Sequence, residues 1–146
     1  MWGKRKMTKR KILLVDYEED FTKALQIRLK ANGYDVVLAF DCVQGFTTAQ
    51  KEKPNLIILD IMVPGGGGFA VAERLKLSID TCDIPVIFLT GISGGEERAY
   101  RAGACSYVMK PYDPDELLGV IKRALKPIEK YNPRTGKEAM GISPQS

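Results

Sequence analysis

The chain has 146 residues, 45% of them hydrophobic and 27% charged, which suits one domain with a hydrophobic core. It contains no histidine, which excludes histidine-based acid–base catalysis, histidine metal sites and a phosphohistidine in this chain, and its three scattered cysteines predict neither a disulfide framework nor a zinc site. No stretch approaches the roughly 20 apolar residues of a membrane span, and the N-terminus lacks the apolar segment of a signal peptide, so we expect a cytoplasmic protein.

A basic N-terminal arm, residues 1–10, opens the chain. Lysines and arginines give the first eleven residues a charge of +6, which leaves about −2 for the remainder of a chain whose net charge is +4. Such an arm can contact nucleic acid or an acidic partner, or it can be a solvated tail. We favour the solvated tail and do not expect direct nucleic-acid binding.

The first predicted strand is an all-apolar run, residues 12–15, which ends in Asp16. A helix follows, with acidic residues at its start and Asn32-Gly33 at its end. Its inward face is marked by an apolar residue at every fourth position: Phe21, Leu25 and Leu29.

A second strand is predicted over residues 34–40, where three apolar residues stand together at the centre. Asp41 is a suitable cap for a helix that runs to about Lys53. The spacing of apolar residues in this helix predicts that three of them face inward: Val43, Phe46 and Ala49.

The third predicted strand, residues 56–59, consists of four apolar residues and ends in Asp60. Residues 61–64 and a run of four glycines, 65–68, follow it. Because no Gly-Lys-Ser/Thr comes after the glycines, this segment is not a nucleotide-binding P-loop.

The second half of the chain continues the alternation of helices and strands. A third helix is predicted to end near Ile79, a fourth strand ends in Thr90, and a fifth strand ends in Lys110. The predicted ranges, in chain order, are 69–79 for the third helix, 85–89 for the fourth strand, 95–102 for a short polar helix and 106–109 for the fifth strand.

The last predicted helix begins at the cap Asp113, has Pro114 in its first turn, and ends near Leu125. Beyond residue 127 the apolar periodicity fades. We therefore predict one domain, residues 11–127, followed by a mostly disordered tail or linker, residues 128–146.

Five strands that alternate with five helices predict an α/β fold with a doubly wound parallel sheet. In such a sheet the carboxyl ends of the strands share one edge, which brings together Asp16, Asp60, Thr90 and Lys110. Two carboxylates can hold a divalent cation such as Mg²⁺, and a carboxylate can act as a nucleophile toward phosphorus. A lysine and a hydroxyl can neutralise or bind the oxygens of a transferred phosphoryl group.

The order and spacing of four segments resemble the receiver domain of two-component response regulators, of the chemotaxis-regulator type. The segments are Ile12 to Asp16, Leu56 to Pro64, Val86 to Gly91, and Gly103 to Pro111. The resemblance covers residues 11–125. It implies the flavodoxin-like (βα)5 fold with five parallel strands in the order 2-1-3-4-5.

The resemblance also implies roles for individual residues. Asp60 matches the phosphoacceptor, Asp16 an acidic ligand of Mg²⁺, and Lys110 the lysine that pairs with the phosphoryl group. The backbone carbonyl of Met62 matches a further metal ligand, together with Asp60 itself. Thr90 and Tyr107 match the hydroxyl and the aromatic residue that switch on activation.

The second acidic residue of the family's metal site is replaced here by Tyr17. A neutral phenol is a poor ligand for Mg²⁺, so we expect weak metal binding unless the adjacent Glu18 reaches the site. Two functions remain open. One is a phosphoacceptor domain; the other is a protein-interaction module that works without phosphorylation because Tyr17 breaks the metal site.

The phosphoacceptor hypothesis implies partners of two kinds. A histidine kinase or phosphotransfer protein would supply the phosphoryl group, and a downstream protein or an effector domain would respond to it, with a homodimer as a further possibility. Catalysis would be limited to the domain's own phosphorylation from a phosphodonor and its own dephosphorylation. No membrane partner is expected.

Overall fold

The computed structural model describes residues 8–126 and the backbone of residues 131–132 and 137–138. Five parallel strands form one sheet in the order β2-β1-β3-β4-β5, which is the predicted flavodoxin-like order. The strands are β1 (Lys11–Val15), β2 (Asp35–Ala39), β3 (Leu56–Leu59), β4 (Val86–Thr90) and β5 (Ser106–Met109). The helices that connect and follow them are α1 (Glu19–Ala31), α2 (Cys42–Glu52), α3 (Gly68–Leu77), α4 (Glu96–Arg101) and α5 (Pro114–Ala124).

The sheet is buried on both faces because successive strand residues point to opposite sides and both sides are apolar. Residues such as Leu13, Ile57 and Phe88 face helices α2, α3 and α4. Their neighbours, such as Leu14 and Ile58, face α1 and α5. The consecutive apolar runs of the sequence are therefore explained by two hydrophobic cores that share one sheet.

Side-chain caps mark where α2 and α5 begin. The side chain of Asp41 accepts a hydrogen bond from the Gln44 amide at 2.8 Å, and that of Asp113 accepts one from the Asp115 amide at 3.0 Å, so both predicted caps are confirmed. One prediction for α2 is wrong: the side chain of Val43 is 64% exposed. The buried face of α2 is formed by Cys42, Gly45, Phe46 and Ala49, and Val43 lies outside it.

The boundaries of the predicted domain and of its two flanking segments remain predictions. Residues 1–7 of the basic arm lie outside the described residues, as do most residues of the predicted tail. Within that tail, a short strand β6 (Tyr131–Asn132) pairs in antiparallel fashion with β7 (Lys137–Glu138). None of the helices in the described part of the chain has the length and apolar composition needed to cross a bilayer.

Candidate phosphoacceptor and metal site

The carboxyl ends of β1, β3 and β5 place three charged residues at one edge of the sheet. Each residue continues the sheet by one backbone hydrogen bond: Asp16 to the Ala39 carbonyl at 3.0 Å, Asp60 to the Val15 carbonyl at 3.0 Å, and Lys110 to the Thr90 carbonyl at 2.8 Å. Because the main chain is held in the ladder, the side chains project together from a rigid edge.

The ammonium group of Lys110 lies among three carboxylates at this edge and binds all of them. Its ammonium nitrogen Nζ lies 2.8 Å from Asp16 Oδ2, 3.0 Å from Asp60 Oδ2 and 3.0 Å from Glu18 Oε1. Asp16 and Asp60 are only 5% and 4% exposed, so two of these ion pairs are shielded from solvent. The structure thus brings together Asp16, Asp60 and Lys110, as the sequence predicted, and Glu18, which the sequence offered as an alternative to an acid at position 17, joins them.

The second carboxylate oxygens of the two aspartates are held by the main chain. Asp16 Oδ1 accepts a hydrogen bond from the Glu18 amide at 2.8 Å, and Asp60 Oδ1 accepts one from the Met62 amide at 3.2 Å. Each carboxylate therefore has one oxygen fixed by its own loop and the other directed to Lys110. This arrangement limits rotation of both side chains.

Burial and hydrogen bonding act in opposite directions on the pKa values of Lys110 and Asp16. Burial alone would lower the pKa of Lys110, but its hydrogen bonds to Asp16, Asp60 and Glu18 outweigh burial and raise that pKa above its ordinary value. Burial raises the pKa of Asp16, and the hydrogen bond from Lys110 offsets this only in part. The pKa of Lys110 is therefore raised by its carboxylate partners, whereas that of Asp16 is raised by burial.

An aromatic ring supports the lysine from the side. Lys110 Nζ lies 4.1 Å from the centroid of the Phe21 ring, which in turn meets Tyr112 edge to face with centroids 5.9 Å apart. From the sequence, Phe21 was predicted only to lie on the inward face of α1. Helical spacing identified it as a core residue, but nothing in the sequence indicated that it would face a lysine from β5.

Asp16, Glu18 and Asp60 form a set of oxygen ligands suited to a metal. One carboxylate oxygen from each lies within 4.8 Å of the others. Carboxylate oxygens are the donors that Mg²⁺ prefers, so the residues present fit a hard divalent cation. Glu18 thereby supplies the third carboxylate that the tyrosine at position 17 cannot provide.

Tyr17 points away from this cluster. Its side chain is 51% exposed and lines an open groove of about 300 Å³ with five residues of the loop after β3. Those residues are Ile61, Met62, Val63, Pro64 and Gly67. At the position where the resemblance implies a metal ligand, the chain therefore presents an apolar rim beside the carboxylates.

Thr90 and Tyr107 form a second group, linked through the main chain of Ile92. The fully buried Thr90 accepts a hydrogen bond from the Ile92 amide through Oγ1 at 3.4 Å. The Tyr107 hydroxyl donates to the Ile92 carbonyl. Burial, followed by the negative charge of Glu96, raises the pKa of the Tyr107 phenol above its ordinary value.

Gly68, the first residue of α3, packs directly against the main chain of Asp60. A Cβ atom at this position would overlap the Asp60 carbonyl oxygen and lie 2.9 Å from Ile61 Cα. Its amide donates to the Ile61 carbonyl at 2.8 Å. The sequence showed a glycine here, but only the structure shows that the lack of a side chain brings α3 against the candidate phosphoacceptor.

A parallel sheet of order 2-1-3-4-5 with two buried aspartates, a threonine and a lysine at its carboxyl edge defines a receiver-type signalling domain. The family model of the response regulator receiver domain matches residues 12–122. The chain therefore belongs to the response regulator receiver domain family, the receiver domains of two-component signal transduction.

Similar sequences include transcriptional regulators. The chain is 34% identical over 138 residues to the probable transcriptional regulator ycf27 of Porphyridium aerugineum. The matched region covers 93% of this chain and 56% of that protein. It is 35% identical over 118 residues to RpaA of Synechocystis, a DNA-binding dual master transcriptional regulator, with 80% and 49% covered. The chain spans about half the length of the curated relatives it matches.

Similar solved structures share the whole receiver fold. A putative response regulator from Chloroflexus aurantiacus has a TM-score of 0.77 and 28% identity, with 81% of this chain and 98% of that chain covered. The receiver domain of a sensor histidine kinase from Pseudomonas aeruginosa has a TM-score of 0.75 and 25% identity, with 81% and 98% covered. The latter carries a magnesium ion in its active site cleft.

Proposed function

We propose that Asp60 accepts a phosphoryl group from the phosphohistidine of a histidine kinase or phosphotransfer protein. The observation that carries the proposal is the position of Lys110 Nζ, which lies 3.0 Å from Asp60 Oδ2 and 2.8 Å from Asp16 Oδ2. In the reaction, an oxygen of the Asp60 carboxylate bonds to phosphorus while the bond from phosphorus to the donor's imidazole nitrogen breaks. The product is an acyl phosphate on Asp60.

Asp16, Asp60 and Glu18 are the side chains that would hold Mg²⁺, with the Met62 carbonyl as the further ligand that the family resemblance implies. Their mutual distances and their oxygen donors support this assignment. A bound divalent cation neutralises charge on the phosphoryl oxygens. The carboxylate of Glu18 removes the main reason for expecting a receiver that works without phosphorylation, since the loss of an acid at Tyr17 is offset by its neighbour.

The remaining residues hold and report the phosphoryl group. Lys110 is placed to bind a phosphoryl oxygen, because its ammonium already lies beside the Asp60 oxygen and is supported by the Phe21 ring. Thr90 and Tyr107 would respond through the loop after β4, which connects them at Ile92. The domain's catalysis is its own phosphorylation and dephosphorylation.

The relatives suggest what lies downstream. Because ycf27 and RpaA are transcriptional regulators and only about half of each is matched, we propose that the phosphorylated domain controls an effector domain or a partner protein of transcription. In this proposal the receiver itself does not contact DNA. Its altered surface after phosphorylation is what the effector recognises.

The proposal is tested with a small phosphodonor. The wild-type domain is incubated with acetyl phosphate and saturating Mg²⁺, and an acyl phosphate is detected by intact mass and by its lability to hydroxylamine. Asp60→Asn should abolish the modification, whereas Asp20→Asn, which removes an exposed carboxylate from the first turn of α1, should leave it in place. Equal modification of Asp60→Asn, or none in the wild type, would contradict the proposal.

A further inference from the structure

The Tyr107 ring is partly buried between Phe88 of β4 and the residues that precede α4. One face stacks on Phe88, with ring centroids 6.3 Å apart and planes inclined by 30°. The hydroxyl reaches the carbonyl of Ile92, so the polar end of the ring is satisfied by the loop after β4. This hydrogen bond ties the position of the ring to the same loop residue that contacts Thr90.

Gly95, the residue before α4, lies directly against the hydroxyl end of the Tyr107 ring. A Cβ atom on Gly95 would lie 2.7 Å from the Tyr107 hydroxyl oxygen, 3.3 Å from Tyr107 Cζ and 3.0 Å from Ile61 Cδ1. Carbon atoms do not approach an oxygen this closely without displacement, so a side chain at position 95 would require the Tyr107 hydroxyl to move. Gly95 has φ −92° and ψ 0°, which lies outside the left-handed region and is open to alanine.

We propose that Gly95 is a positioning residue for Tyr107: the missing side chain at position 95 is what allows the ring to lie inward. An alanine there is accommodated most easily by rotation of the tyrosine about its Cα–Cβ bond, because the hydroxyl is the free end of a rotatable side chain whereas Gly95 belongs to the main chain. The residue at position 95 therefore sets the balance between inward and outward positions of the ring.

The same contacts connect the ring to the phosphoacceptor. Ile61, whose Cδ1 borders the position of a Gly95 Cβ, directly follows Asp60 in the chain. The Ile92 main chain contacts both Thr90 and Tyr107. The link to phosphorylation rests on the proposed function: a ring that a side chain at position 95 keeps outward could not take the inward position when Asp60 is phosphorylated.

The test compares the resting domain with two variants of the same loop. Tyrosine ring resonances are recorded by NMR, and those of Tyr107 are identified as the ones missing from Tyr107→Phe. In Gly95→Ala they should move to the positions of a solvent-exposed tyrosine. Gly91→Ala is the matched control, because its Cβ would have no neighbour within 4 Å and its backbone is not left-handed, so the Tyr107 resonances should stay in place.

A second measurement uses the urea midpoint in a double-mutant cycle. Gly95→Ala should lower the midpoint when Tyr107 is present and lower it clearly less in the Tyr107→Phe background, where the clashing hydroxyl is absent. Unchanged Tyr107 resonances in Gly95→Ala, an equal displacement in Gly91→Ala, or equal midpoint losses in both backgrounds would overturn the proposal. These measurements need no phosphodonor, so a failure of Asp60 to accept phosphate would be seen separately.

Discussion

Glu18 is the residue whose role in metal binding can be tested most directly, by Glu18→Gln. The side chain is about half exposed, so its interaction with a cation is screened nearly as in water. Two unit charges 4 Å apart in water attract by about 1 kcal/mol, and a divalent ion doubles this to about 2 kcal/mol. Since glutamine keeps the oxygen but loses the charge, the dissociation constant for Mg²⁺ should rise about ten- to thirtyfold.

The assay is a calorimetric titration of the domain with Mg²⁺, and Glu19→Gln is the matched control. Glu19 carries the same charge one residue further on, but it pairs with Lys23 at 2.8 Å and lies outside the carboxylate cluster. Replacement of Glu19 should change the affinity for Mg²⁺ by less than about threefold, because an exposed charge outside the cluster is screened by solvent and salt. Equal weakening by both variants, or no effect of Glu18→Gln, would refute the assignment of Glu18 as a ligand.

A reciprocal change at the neighbouring position sharpens the test. Tyr17→Asp adds a carboxylate where the family resemblance implies one, and it should tighten Mg²⁺ binding in the same titration. If the affinity does not change, a carboxylate at position 17 does not reach the ion, and the expectation for that position is wrong.

Two further predictions concern stability. Lys53 ends α2 in the left-handed region, with φ 46° and ψ 60°, where glycine avoids the strain of a side chain. Lys53→Gly should therefore raise the free energy of unfolding by about 0.5–1 kcal/mol in urea denaturation, whereas Lys51→Gly within the helix should lower it. A change of the same sign in both variants would show that Lys53 is not strained. The folded-state pKa of Lys110 lies above its ordinary value of 10.5. Its contribution is therefore fully present below pH 10.5 and lost as the pH rises through the folded pKa. Stability should fall in that window by up to about 1.4 kcal/mol per pH unit, and the fall measured by chemical denaturation should be smaller in Lys110→Met.

Much of the site could be predicted from the sequence because strand ends are visible in it. Asp16, Asp60 and Lys110 each follow an apolar run, and parallel strands carry such residues to one edge whatever the details of packing. The sheet order came from the family resemblance, and the structure confirms it. These predictions required only the positions of the strand ends and no side-chain orientation, and the structure has the three residues at one edge of the sheet.

What the sequence could not provide is the direction of side chains in loops and at helix ends. Tyr17 and Glu18 are adjacent, yet one turns toward an apolar groove and the other toward Lys110. Val43 was expected in the core and is exposed, because a short amphipathic helix allows more than one inward face. The close approaches at Gly68 and Gly95 depend on distances between distant segments, which residue spacing does not encode.

The four charged side chains at the sheet edge have a consequence for the order of events. With Asp16, Glu18, Asp60 and Lys110 all ionised, the cluster carries a formal charge of −2, which equals in size the charge of one divalent ion. Phosphodonors are anions, so until that charge is balanced they approach a site of their own sign. If Asp60 is the phosphoacceptor that we propose, we therefore expect a divalent cation to bind at this cluster before the phosphodonor does.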